Sequence, residues 1–213
     1  MLAFESGRIG ASPELGSAGV LPRCIETAVS AVTQLQPARI LRVDAEWMRE
    51  HLRETLEIYG EAMGYPASVV EARYGHAASH TTRMGFEAVA AFDPAEALIG
   101  FGYGYTTRPG QWWYDQVADA LGRARSRQWL RDTFELCEFH VRPDQQGMGV
   151  GRNLLRTLLG GVAHPHVVLS TPDSDTRAFR LYRSESFVDL MRSHYFPGDT
   201  RPFAILGLTR RPR

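Results

Sequence analysis

From Ala38 onward the hydrophobic and polar positions change period in an ordered succession, and each change marks an element. ARILRV reads as a short strand. Asp44 suits the N-cap of a helix beginning AEWMREHLRETLEIYG, because its carboxylate can accept from an unpaired first-turn N–H. Trp47, Leu52, Leu56 and Tyr59 share one face of that helix, and Gly60 can end it. A second helix is predicted over 66–79, with Pro66 setting its first turn. The period then drops to two. FEAVAAFD and EALIGFGYGYTT form a hairpin around Asp93-Pro94. Gly100, Gly102 and Gly104 fall on one face of its second strand, where glycine lets another element lie close. An excursion over 105–132 follows, with PGQWWYDQ leading into a helix through ALGRARSRQWL. Strand TFELCEFHV, loop RPDQQGMG, helix VGRNLLRTLLGGV, strand VVLST, helix DTRAFRLYRSES and a strand pair, FVDLMRSHYF with PFAILGLTR, complete the chain. The order β-α-α-β-β-(excursion)-β-α-β-α-β-β describes one α/β (α+β) domain over 38–213. Residues 1–37 are rich in Gly, Ser, Ala and Pro without sustained periodicity, and read as a poorly ordered N-terminal extension.

Composition narrows the function classes. The 213 residues carry 24 basic and 24 acidic side chains, a net charge of +0, which argues against a nucleic-acid binder working through a broad basic field. Every basic residue is arginine; without lysine there is no Walker A loop and no Schiff-base chemistry. Two cysteines, Cys24 and Cys137, are too few for a disulfide framework and fit a reducing cytoplasm. No apolar run approaches the roughly 20 residues that cross a bilayer, and the N-terminus lacks the pattern of a signal peptide.

The most informative segment runs from Val141 to Leu155. A strand ends, Gly147, Gly149 and Gly151 make a turn, and an amphipathic helix begins at once. The first N–H groups of that helix have no internal partner and sit at the positive end of its dipole, so the junction can cradle a phosphate or pyrophosphate. Dinucleotide spacing fails, because the third glycine would fall on Arg152 or Leu154. What remains is Gln146-x-x-Gly149-x-Gly151 behind a strand ending Val141-x-Pro143. This resembles the acetyl-CoA signature of the GNAT N-acetyltransferase superfamily. A second element, Asp175-x-x-Ala178-x-x-x-Tyr182 leading to Phe187, is similar to that family's N-x-x-A-x-x-x-Y-x-x-x-G-F pattern, with Asp175 and Ser186 replacing its Asn and Gly.

The resemblance implies a mixed, mostly antiparallel sheet flanked by helices and opened between the strands at 134–141 and 166–171. It implies acetyl-CoA as co-substrate. Pantetheine would lie in the opening against main-chain groups around Phe139, His140 and Val141. The pyrophosphate would sit on the N–H groups of 146–152: Gln146, Gly147, Met148, Gly149, Val150, Gly151 and Arg152, the last also as a charge partner. Asp175 and Ala178 belong to the same binding element. Tyr182 takes the position of the general acid. For the base, Glu138 lies nearer the expected thioester and is slightly preferred; Glu135 matches the base position of some family members. Period two sets the pair on opposite faces unless a bulge intervenes. His140 is a third option, with an unperturbed pKa of roughly 6.5 suited to the role. The implied activity is acetyl transfer to a primary amine of a small molecule or peptide. The alternative is a non-catalytic acyl-CoA-binding sensor or partner protein.

Other residue groups have competing readings. Cys137 is either a covalent acetyl carrier or, as mid-strand cysteines more often are, a small buried hydrophobe. His76 and His80 have helical i, i+4 ligand spacing, but no third ligand accompanies them. Arg123, Arg125, Arg127 and Arg131 form a basic cluster that is either a solvated face or a meeting point for an acidic partner, RNA or the CoA 3′-phosphate. Trp112, Trp113 and Tyr114 suit an acceptor-pocket lid, an anchor for the excursion, or a homodimer interface.

Overall fold

The structure, a computed structural model, describes residues 37–210, so the extension up to residue 36, Cys24 included, lies outside the described residues. Seven strands form one sheet in the order β1 (Arg39–Val43), β2 (Glu87–Phe92), β3 (Leu98–Thr106), β4 (Thr133–Val141), β5 (His166–Pro172), β7 (Phe203–Thr209), β6 (Val188–His194). Every pairing is antiparallel except β4 with β5. That parallel pair is short. Thr133 to Glu135 register with His166 to Val168, and beyond Glu135 the two strands part. The sheet therefore opens along Leu136 to Val141, leaving one edge of β4 without a strand partner there.

Helices cover both faces. α5 (Val150–Gly161) buries Val150, Leu154, Leu155 and Leu158 against Val89, Phe134, Leu136 and Val167, with Tyr182 and Phe187 from α6 (Arg177–Ser184) and its exit completing the cluster. Each such side chain contributes roughly 1.5–3 kcal/mol of transfer free energy. The opposite face divides in two. α1 (Ala45–Glu50), α2 (Leu52–Met63) and α3 (Ala67–His80) belong to the β1–β4 half, where Met48 and Ile58 pack with Ala88, Phe101, Tyr103 and Tyr105. α4 (Trp112–Trp129) covers the other half through Val117 and Leu121, packed with Val168, Leu190 and Ile205.

Two helices differ from expectation. The single helix predicted after Asp44 breaks at His51, whose backbone (φ −98°, ψ 15°) leaves the helical region while its Nδ1 bonds to Trp47 O at 2.9 Å. Asp44 does cap α1, accepting from Trp47 N at 2.8 Å. α4 is interrupted at Gly122, whose φ of 72° and ψ of 166° no helix accommodates. The hairpin turn follows from Asp93, whose Oδ1 accepts from Ala95 N and Ala97 N at 2.9 and 2.8 Å.

The β3 glycines are spaces for β4 rings. A Cβ on Gly102 would lie 2.6 Å from the Phe139 ring, and one on Gly104 would lie 2.1 Å from Glu135 O and 2.6 Å from the Phe134 ring. The alternate residues Phe101, Tyr103 and Tyr105 point to the other face and are all nearly fully buried.

Candidate active site

Between Tyr103 and Gly104 the β3–β4 register slips: Tyr103 pairs with Glu138 and Gly104 with Leu136, so Cys137 is the unpaired residue of a bulge. The extra residue inverts the alternation. Phe134, Leu136, Phe139 and Val141 pack with the α5 cluster, and Cys137 packs with the α1–α3 cluster. Glu135 and Glu138 consequently share the α2–α3 face, both almost fully buried.

Their surroundings differ. The Arg73 guanidinium, from α3, donates through Nε to Glu138 Oε1 at 3.0 Å and through Nη2 to the same oxygen. His140 Nε2 lies 2.7 Å from Glu138 Oε2. Burial opposes ionisation of Glu138, but the His140 hydrogen bond and the Arg73 charge outweigh it, holding the carboxyl down at about 2. Glu135 is bonded to hydroxyls instead. Tyr105 Oη donates to its Oε1 at 3.1 Å and Thr107 Oγ1 to its Oε2 at 3.0 Å. Burial dominates there and pushes the carboxyl up to about 7, the two hydroxyl bonds offsetting only part of its effect.

Around them stands a polar layer within an otherwise apolar face. Cys137 Sγ is 3.4 Å from Tyr105 Oη and 3.6 Å from His80 Nδ1, and His80 Nδ1 is 3.1 Å from Tyr103 Oη. Burial raises the thiol well above its ordinary range. Burial and the neighbouring Arg83 charge bring His80 down to about 4. Among the described residues no group of three or more ligating side chains could hold a metal, so His76 and His80 have no third partner; His76 is exposed and His80 buried. The Tyr59 ring meets His140 edge-on at 5.1 Å, and burial followed by the Glu138 charge raises its hydroxyl to about 12.

Tyr182 lies on the other side of the sheet opening, with ring centroids 6.2 Å from Phe139 and 5.5 Å from Phe187. Burial, reinforced by the charge of Glu138, raises its hydroxyl above the ordinary tyrosine value. Among the described residues nothing hydrogen-bonds that hydroxyl.

The glycine loop has the shape of a cradle. Gly147 and Gly149 take φ values of 87° and 86°, and a Cβ on either would meet nothing within 4 Å. Gly149 is the N-cap of α5 and offers no side-chain cap, so the amides at Val150 and Gly151 stay open to a ligand. Gln146 ties the loop to β4: its Nε2 donates to Val141 O at 2.9 Å, and its Oε1 accepts from Arg177 at 3.3 Å. Met148 is exposed. Arg152, expected as a charge partner, is engaged with Glu185 at 3.1 Å and Ser184 at 3.2 Å. Asp175 is exposed and paired with Arg180 at 2.7 Å, while Thr176 caps α6; Ala178 packs against the core. The fit to an extended thioester cofactor rests on two features together: an unpaired edge on β4, and positive-φ glycines opening onto free space at a helix start.

Arg73, Tyr105, Thr107 and Tyr59 have no chemical role in the sequence reading, and His80 enters it only as half of a metal-ligand spacing. For Tyr105 a signal existed, since it alternates with Gly104 and must face opposite the glycines. For Arg73, on a helix with no sequence link to β4, none did. Of the aromatics at the start of α4, Trp113 and Tyr114 pack against the sheet, Trp113 Nε1 donating to Ser170 Oγ at 3.1 Å, while Trp112 is exposed against Phe196.

The profile described as Acetyltransferase (GNAT) family matches residues 52–187. A GCN5-like protein acetyltransferase of Mycobacterium tuberculosis is 38% identical over 193 residues, covering 76% of this chain and 93% of that protein. Among solved structures, yncA of Salmonella typhimurium with its cofactor acetyl-CoA aligns at a TM-score of 0.56 and 16% identity, over 82% of this chain and 94% of its own. A PaiA N-acetyltransferase of Thermoplasma acidophilum in complex with coenzyme A aligns at 0.53 and 15%, over 82% and 100%.

Proposed function

We propose, from the premise that this chain belongs to the GNAT acetyltransferase family, that it acetylates a primary amine of a peptide or small molecule by direct transfer, with Glu135 as base and Tyr182 as acid. The chain is an acyltransferase and acetyl-CoA is its co-substrate. When bound, acetyl-CoA supplies an acetyl group already activated as a thioester. Main-chain groups of Phe139, His140 and Val141, and the amides from Gln146 to Arg152, are the groups available to hold it.

The observation that carries the assignment is the opposite displacement of two carboxylate pKa values on one face of β4. A base must be ionised yet basic enough to take a proton near pH 7. Glu135, at about 7, meets that condition; Glu138, at about 2 and bound by Arg73, does not. Glu138 instead keeps Arg73 and His140 in place. Carboxylates pushed apart in this way divide the work of a site. Tyr182 Oη keeps its proton at neutral pH, and among the described residues no acceptor competes for it, which suits a donor to the departing sulfur. Direct transfer is supported by the Cys137 thiol, which burial keeps protonated and therefore poorly nucleophilic.

A peptide acceptor is favoured over a small amine because the 38% identical relative is described as a protein acetyltransferase. Reducing-compartment cysteine usage supports a cytoplasmic setting; no helix of the described residues is long and apolar enough to cross a membrane. The test is release of free CoA with lysine-containing peptides and with polyamines, in the wild type and in Glu135→Gln. Peptide turnover with a rising limb near pH 7 that Glu135→Gln removes supports the reading. Turnover of polyamines alone overturns the acceptor, and an unchanged limb overturns the base.

A further inference from the structure

Among the described residues, the arginines outside the second half of α4 and the turn after it all have partners: a carboxylate, a carbonyl, an amide or hydroxyl oxygen, a sulfur or an aromatic face. Arg123, Arg125, Arg127 and Arg131 have none among those residues, although the chain holds as many acidic as basic side chains. Two of them, Arg127 and Arg131, line a cleft of about 520 Å³ between the end of β3 and α4, together with Arg108, Thr107, Tyr114 and Asp132. The Arg108 guanidinium touches the Met84 sulfur, which leaves its charge uncompensated. Three guanidinium groups stand against one carboxylate in the lining.

We propose that this cleft binds a small anion carrying a phosphate or more than one carboxylate, at a site apart from the acetyl-CoA cradle. Guanidinium groups present planar forks that engage such oxygens two at a time, and three around one concavity suit a multivalent anion rather than a single chloride. The volume falls within the roughly 300–1,000 Å³ of small-molecule sites. With a net charge of +0 the molecule has no general field to gather anions, so attraction is local to this cleft. Its lining adjoins the proposed base: Thr107, a lining residue, donates to Glu135 Oε2 at 3.0 Å. A ligand there lies one hydrogen bond from the carboxylate assigned as base. Only this last consequence rests on that assignment; binding itself does not.

The experiment is calorimetric titration of citrate, and separately of inorganic phosphate, into protein saturated with acetyl-CoA, at an ionic strength of about 0.15 M. Saturation fills the cradle, so any heat reports a second site, and the two probes separate carboxylate from phosphate preference. Saturable binding of at least one probe is expected. The double variant Arg127→Ala/Arg131→Ala should weaken it by about tenfold or more while acetyl-CoA affinity and melting temperature stay unchanged. No saturable heat at millimolar probe, or equal binding by the double variant, overturns the proposal. So does binding of polyglutamate or RNA without either small anion, which would make the arginines a macromolecular surface. If binding follows expectation but turnover at pH 7 is unaffected by the bound anion, the site stands and its link to Glu135 fails.

Discussion

Replacing Glu135 with glutamine separates the two consequences of burying a carboxylate in this sheet. The side chain is 3% exposed, and burial takes its pKa from 4.5 to about 7. A tenfold change in an acid dissociation constant corresponds to about 1.4 kcal/mol, so the ionised form costs the fold about 3 kcal/mol relative to the unfolded chain. The sign follows from the direction. With the folded value above the unfolded one, the neutral carboxyl's advantage is complete below pH 4.5 and is lost as pH rises towards 7. Glutamine is neutral throughout and can keep both hydrogen bonds, its oxygen accepting from Tyr105 and its amide donating to Thr107 Oγ1. The stability of Glu135→Gln minus that of wild type should therefore climb by about 3 kcal/mol between those pH values and stay level on either side. Urea unfolding of both proteins across that range measures it, and other titrating groups cancel in the difference. At the same time kcat/KM should fall by roughly 10²–10⁴-fold and lose its limb near pH 7. Parallel stability curves would refute desolvation as the cause. Diverging stability with an intact kinetic limb would leave Glu135 buried and perturbed but not the base.

Four further substitutions probe the neighbouring groups. Tyr105→Phe removes one of the two bonds favouring ionised Glu135, so the kinetic limb should move above 7. Tyr182→Phe should lower kcat far more than acetyl-CoA affinity, because the hydroxyl has no bond among the described residues to lose; equal kcat would remove it as the acid. Arg73→Ala leaves Glu138 buried with His140 alone and should cost roughly 3–5 kcal/mol by urea unfolding. Gly149→Val forces a β-branched residue to φ 86°, at about 1–3 kcal/mol of strain, and sends its side chain into the open space of the cradle. Calorimetry should then detect no acetyl-CoA binding, and a normal isotherm would locate the cradle elsewhere.

Local signals carried most of the fold. Short apolar, aromatic and β-branched runs bounded by turn residues located all seven strands, although β2, β3, β5 and β7 are buried at consecutive positions rather than alternate ones. The break at His51 was hidden, since Trp47, Leu52 and Tyr59 fit a continuous helix equally well, and only packing against the sheet distinguishes a kinked path. The loop at Gly147 to Gly151 was legible because its chemistry is main-chain and contiguous. Glu138 as preferred base rested on proximity along β4; its pairing with Arg73 comes from a helix 65 residues earlier in the chain. Long-range electrostatics of that kind leave no mark on local sequence.

The bulge at Cys137 produces several features of the site at once. With regular alternation Glu138 would share the α5 face with Phe134 and Leu136, among apolar side chains and away from Arg73. One inserted residue returns it to the face where Arg73 waits, and returns Phe139 to the face where Gly102 leaves room for its ring. The same insertion comes just where β4 leaves β5, between Glu135, the last paired residue, and Phe139. A bulge bends its strand, and here it coincides with the parting of β4 from β5, with the unpaired edge and with two carboxylates on the α2–α3 face. Removing Cys137 from the chain should thus do more than shorten a strand. Deletion leaves Leu136 and Glu138 adjacent, on alternate faces and still opposite Gly104 and Tyr103, so the protein should fold with Glu138 facing Arg73 but lose the bulge. Acetyl-CoA binding by calorimetry should then weaken, whereas Cys137→Ser, which keeps the count, should bind acetyl-CoA normally and retain the pH limb of Glu135.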